Sequence, residues 1–156
     1  MEPQEVITRF YTAFAEGDTE TMATCYADNV QFEDPAFGKL KGPEVMGMWS
    51  MLLERSKGQL QLTLKEVTGS GNSGAAVWEA RYPFGPKKRP VHNVISATFT
   101  FQDGKISQHT DVFPFWRWSR QALGLPGLLL GWTPFLRSKV GQQTRSLLKR
   151  YMEKQS

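Results

Sequence analysis

The sequence predicts an α+β domain, a curved antiparallel sheet with helices covering one face. Three observations carry this. Apolar residues recur at helical spacing through about the first third of the chain. The period then changes to two, from Leu60 to Phe113. Asp103-Gly104 separates two alternating runs, and that dipeptide suits a two-residue hairpin turn with positive φ. A length of 156 residues suits one domain.

The elements follow in order. Pro3 fits a first helical turn, and Val6, Ile7, Phe10 and Phe14 continue the helix to a stop at Gly17. Asp18 can cap a second helix carrying Met22, Cys25 and Tyr26, broken at Asp28-Asn29. Val30 and Phe32 mark a short strand that ends at Asp34-Pro35. Gly42-Pro43-Glu44 opens a third helix, Val45 to about Arg55, apolar nearly all round and so covered on most sides. Four strands joined by hairpin loops follow, with the short first strand as a fifth. In them Leu60, Leu62 and Leu64, then Ala76 to Phe84, then Val91 to Phe101, alternate with polar residues, and the last runs from Lys105 to about Phe113. Beyond Trp116 comes an apolar stretch broken by Gly and Pro, and a helix from Pro134.

The net charge of +4 suggests an acidic partner, but its distribution changes that reading. Residues 1–115 hold 11 Lys+Arg against 14 Asp+Glu, and residues 116–156 hold 8 against 1. The chain is thus a mildly acidic body, 1–115, with a basic helical tail, 116–156, packed on the same domain. With 40% hydrophobic and 22% charged residues, disorder is excluded for the bulk of the chain. One cysteine, Cys25, excludes an intramolecular disulfide and a cysteine-built zinc site, and reads as a small buried hydrophobe. No metal-ligand set, phosphate loop or nucleotide fingerprint is present, so no cofactor is expected. The acidic start lacks the layout of a signal peptide, and Ala122–Leu136 is too short and broken to span a bilayer. A cytoplasmic protein is expected. Nucleic acid is not, because the arginines are not interleaved with aromatics on a strand.

Several motifs together resemble one superfamily. They are Ile7-x-x-Phe10-Tyr11-x-Ala13-Phe14-x-x-Gly17-Asp18, Tyr26-Ala27-Asp28-Asn29-Val30-x-Phe32-x-Asp34-Pro35, Gly42-x-Glu44, and Phe99-x-Phe101-x-Asp103-Gly104-Lys105-Ile106. The chain resembles the nuclear transport factor two-like superfamily, and within it the SnoaL-like polyketide cyclases and the ketosteroid isomerases. The resemblance covers about residues 4–115. It implies a cone-shaped domain whose helices and concave sheet face enclose a small-molecule pocket, with a convex face that often forms a homodimer.

The same resemblance places Asp34, in Glu33-Asp34-Pro35, where the isomerases carry a general base. Asp34 also reads as a turn aspartate before proline. The isomerase oxyanion donors are missing: Phe10 stands at the tyrosine's position, with Tyr11 about 100° round the helix, and Ala97 at the second acid's. On the last strand His109 and Asp111 share a face, with Phe113 beyond. Asp111 matches the late-strand acid of the cyclases, and His109 would orient a carbonyl or share its proton. The alternative is a solvated polar pair. Asn93 falls among core positions and would bind ligand or protein, whereas His92 falls on the opposite parity. Glu79 and Arg81 form either a pair inside the pocket or an exposed surface pair. Phe10, Trp49 and Phe113 would make the apolar wall, and Trp116 part of a lid.

The tail has three readings: a lid over the cone, a dimer contact, or a basic amphipathic helix, 134–154, on an anionic membrane. Two functions stay open. One is a cofactor-free isomerase, cyclase or hydrolase using Asp34 or Asp111 as base on a small apolar molecule bearing a carbonyl or hydroxyl. The other is a non-catalytic binding protein for the same class of molecule, membrane-associated through its tail.

Overall fold

A computed structural model describes residues 1–155 and shows an α+β cone. Helix α1, Pro3–Glu16, turns Ile7, Phe10, Tyr11 and Phe14 inward and ends at Gly17, whose φ of 72° supplies the left-handed cap. Asp18 then caps α2, Thr19–Cys25, by accepting from the Thr21 amide at 3.1 Å. Helix α3, Pro43–Ser56, buries Val45, Met48, Trp49 and Met51. Removing each large ring from water contributes about 1.5–3 kcal/mol, so these helices are held mainly by their inner faces.

The six-stranded sheet has the order β2-β1-β6-β5-β4-β3. Its strands are β1 Tyr26–Asp34, β2 Gly38–Lys41, β3 Gln61–Ser70, β4 Ser73–Phe84, β5 Arg89–Gln102 and β6 Lys105–Val112. The β5–β6 turn places Asp103 and Gly104 at φ 52° and 78°, as the hairpin requires. All neighbours pair antiparallel except β1 and β6, which run parallel. A parallel pair needs a long crossover, and the chain from β2 through β5 provides it.

Three features depart from the sequence expectation. Tyr26 opens β1 instead of extending α2, because its hydroxyl is engaged inside the cone. Strand β2 is too short to show a period, yet it pairs with β1 across the Asp34–Phe37 turn. The tail contains three helices, α4 Phe115–Leu123, α5 Leu125–Leu130 and α6 Pro134–Gln155, because Gly124 breaks the apolar stretch at φ 72°. Helix α4 packs on β5 and α6 on α3. Among the described residues no helix is long and apolar enough to cross a membrane.

Strand parity resolves into two faces. Trp78, Ala80, Asn93, Ile95, Ala97, Phe99, His109 and Asp111 are buried on the inner face. Glu79, Arg81, His92, Val94 and Val112 lie on the outer one.

Candidate functional site

The inner face carries a line of four hydrogen-bonded side chains. Trp49 Nε1, which can only donate, donates to the Tyr26 hydroxyl at 3.0 Å. The Tyr26 hydroxyl is also hydrogen-bonded to His109 Nδ1, 2.7 Å away. The other ring nitrogen, Nε2, is hydrogen-bonded to Asp111 Oδ1 at 2.9 Å. His109 is fully buried and Asp111 nearly so, which is tolerable because every link has a partner. Register explains how the line forms: Phe32 and Phe99 are opposite His109 on either side, and Ala97 is opposite Asp111. The His109 ring lies 4.4 Å from Phe99 and 5.0 Å from Phe32, and stacks on Trp49 at 6.0 Å. Burial pushes the Tyr26 hydroxyl well above the usual tyrosine range, so it stays a donor.

Aromatic rings fill the space between helices and sheet where a pocket is expected. Phe10 and Trp49 sit behind the His109 ring, both buried. Two donors there, the Tyr11 hydroxyl and Trp78 Nε1, are buried with no hydrogen-bond partner among the described residues. Such groups cost about 1–3 kcal/mol each. Burial, and then the Asp111 charge, raise the Tyr11 hydroxyl well above its ordinary range.

The cavity lies instead at the mouth of the cone. It holds about 540 Å³ between the β1–β2 turn, the end of β6 and the first turns of α6. Asp34, Asp111, Phe113, Arg137 and Arg145 line it. Asp34 Oδ1 accepts from the amides of Ala36, at 3.0 Å, and Phe37, an Asx-turn that holds the carboxyl in place. Burial raises its pKa to about 7; the Asp111 charge raises it too, while the two amides and Arg137 oppose the shift. Two carboxylates thus press on one another across a cavity that also holds a guanidinium. Helix α6 forms its far wall, fixed by Thr144 Oγ1 donating to the Ala36 carbonyl at 3.0 Å and Arg145 Nη1 to Phe37 O at 2.9 Å.

Of the residues singled out in the sequence, Asp34, Asp111 and Phe113 line the cavity, with His109 directly behind Asp111. Asn93 is inner and nearly buried, opposite Ala80, and is not part of the cavity wall. Trp116 is on the outside, its Nε1 donating to Leu128 O at 3.0 Å. Glu79 is on the outer face, paired with His92 and Lys65 and not with Arg81. Sequence reasoning missed Tyr26, hidden by its helical spacing from Met22, and Arg137, whose charge reads as part of a solvated tail. No group of three or more His, Cys, Asp or Glu among the described residues can hold a metal ion.

A family model described as a SnoaL-like domain matches residues 7–109. No curated protein matches the chain. Among solved structures, an NTF2-like protein of unknown function from Burkholderia pseudomallei superposes with a TM-score of 0.65 at 16% identity, covering 76% of this chain and 95% of that one. TerC, co-crystallised with polyporic acid, gives 0.60 at 17% identity, covering 70% and 88%. Bal32a, from a soil-derived mobile gene cassette, gives 0.63 at 20% identity, covering 70% and 86%. At these identities the likeness is one of fold.

Proposed function

The chain belongs to the SnoaL-like domain family, and on that premise we propose that its mouth cavity binds a small, largely apolar molecule with a carbonyl or hydroxyl group and moves a proton on it. The supporting observation is the convergence of Asp34, Asp111 and Arg137 on one cavity, with Asp34 raised to about 7. A general base works best when its pKa lies near the ambient pH. The Ala36 and Phe37 amides occupy Asp34 Oδ1, and Oδ2 is the oxygen for proton abstraction beside a ligand carbonyl. The Arg137 guanidinium supplies positive charge for the oxyanion that develops. His109 fixes the Asp111 carboxyl, whose charge adds to the burial that keeps the Asp34 proton affinity high.

A second reading, binding without catalysis, is favoured by one feature. The unpartnered donors Tyr11 and Trp78 are not among the cavity-lining residues, so neither serves as an oxyanion donor at the mouth.

Carboxyl-carbon NMR of the whole protein tests the electrostatic core of the proposal. Asp34 is expected to titrate near 7 and to move down in Asp111→Asn while burial still holds it above the ordinary carboxylate range; a wild-type midpoint near 4 would sink it. Polyporic acid, with which TerC was co-crystallised, and a series of simple ketones serve as first probes. Proton exchange at the carbon beside the carbonyl should be lost in Asp34→Asn. If Asp34→Asn and Asp111→Asn both leave exchange unchanged, the acid-base reading is wrong, and binding without exchange supports the second reading.

A further inference from the structure

We propose that residues 125–135, the tip formed by α5 and the start of α6, dock the protein on an anionic lipid bilayer. Helix α5 is inside out. It buries Gly127 and exposes Leu125, Leu128, Leu129 and Leu130. The cause is backbone packing: a Cβ on Gly127 would overlap the Ser119 carbonyl of α4, and one on Gly131 the Ser119 hydroxyl. The glycines therefore take the interior side, and the leucines have nowhere to go but outward. Trp132, 74% exposed, and Phe135, 68% exposed, extend the same surface.

The indole nitrogens support an apolar destination. Trp132 Nε1 donates to Leu129 O, and Trp116 Nε1 to Leu128 O, each at 3.0 Å. Both rings can leave water without stranding a donor. Thr133 Oγ1 likewise donates to the Leu130 carbonyl. With six residues, α5 is about 9 Å long, enough for the interface and far short of a span.

Charge selects the partner. From Val112 to Met152 the sequence has seven Lys+Arg and no Asp or Glu. Arg117, Arg120, Arg137 and Lys139 are exposed on the helices that flank the tip, and Arg120 lies 4.7 Å over the Trp116 ring. A second copy would bring the same cations face to face, which argues against self-association through this surface. A protruding tip of leucine and aromatic rings with a basic surround matches the interfacial region of an anionic membrane. Within 134–154, the membrane-facing helix of one sequence reading, Leu136, Val140 and Leu148 point inward and α6 packs on α3, so the exposed apolar side chains lie at the tip. The cavity opens beside the tip, since Pro134, Arg137 and Ser138 line it and flank Phe135. The docking proposal does not depend on the acid-base reading.

Flotation of the full chain with lipid vesicles tests it. Binding is expected to phosphatidylcholine mixed equally with phosphatidylglycerol, at least about tenfold tighter than to phosphatidylcholine alone, and to weaken with salt. The variant Leu129→Ser/Trp132→Ser/Phe135→Ser should melt like wild type and lose at least about tenfold in binding. Arg117→Glu/Lys139→Glu should lose binding to a similar degree. Equal binding to both vesicles, or full binding by the serine variant, would overturn the proposal. So would a dimer in vesicle-free solution that the serine variant dissociates, since a second copy would then cover the tip.

Discussion

The body and the tail of this protein bury opposite things. The body takes ionisable side chains inside: His109 is fully buried and Asp111 is 3% exposed. The tail leaves Leu125, Leu129, Trp132 and Phe135 outside. Hydrophobicity alone predicts neither. Inside the cone, Trp49, Tyr26, His109 and Asp111 satisfy one another in a line, so burial leaves no link stranded. In the tail, close approach of α5 to α4 reserves the interior side for glycine. Partnership decides burial in one region, and backbone distance decides it in the other.

The sharpest way to break this contrast is to remove a partner from the line. His109→Leu removes one of the two partners of the Tyr26 hydroxyl and the imidazole partner of the Asp111 carboxylate. A loss of about 3–5 kcal/mol in urea unfolding is expected. Trp132→Ser should stay within about 0.5 kcal/mol of wild type, although it removes a far larger apolar surface. Equal losses at the two positions would mean that burial state, as described, does not govern stability.

Next in size is the packing of α5. Gly127→Ala places a methyl group against the Ser119 carbonyl, and relief requires α5 to move off α4. About 1–3 kcal/mol should be lost, with faster amide exchange confined to α4, α5 and the start of α6. Leu129→Ser, on the exposed side of the same helix, should leave exchange unchanged.

A smaller effect separates the mouth from the closed interior. The folded pKa of Asp34 is raised to about 7. Between roughly pH 4 and 7 the native state then holds a proton that the unfolded chain has released, so Asp34 makes stability fall as pH rises through that window and levels it off above. Asp34→Asn keeps an oxygen to accept from Ala36 and Phe37 and removes the charge. Half-buried, Asp34 is partly screened, so the variant should be more stable than wild type by about 1–2 kcal/mol near pH 8 and close to equal near pH 4. Urea midpoints across this range check it, and parallel profiles for the two proteins would contradict the raised pKa.

What could be read in the sequence was local. The cap at Asp18, the turn at Asp103-Gly104 and the shared face of His109 and Asp111 each depend on a few neighbouring residues, and alternation places side chains without knowledge of the rest of the chain. The partners of His109 were not legible. Tyr26 lies 83 positions away, and its own spacing from Met22 belongs equally to a helix. Arg137 and Arg145 were unreadable as cavity residues for a similar reason. Bonds from Thr144 and Arg145 to a turn 108 positions earlier help to hold α6 over the mouth. The inversion of α5 did leave a signal, Gly127 and Gly131 at i and i+4 among leucines, and glycine at that spacing marks a face of close approach.

The smallest effect belongs to the outer face, and it tests the contrast from the other side. Glu79 is also part of a charged cluster, 2.7 Å from His92 and 3.1 Å from Lys65. Hydrogen bonds from His92 and then Lys65 hold its carboxyl below the usual range. By contact distance alone it equals the His109–Asp111 pair. Yet water can replace either partner of Glu79, and surface ion pairs contribute little once screening and side-chain entropy are counted. Glu79→Gln should therefore leave the melting temperature and the Asp34 titration unchanged. A loss matching that of His109→Leu would show that geometry, and not the exclusion of water, gives these pairs their weight.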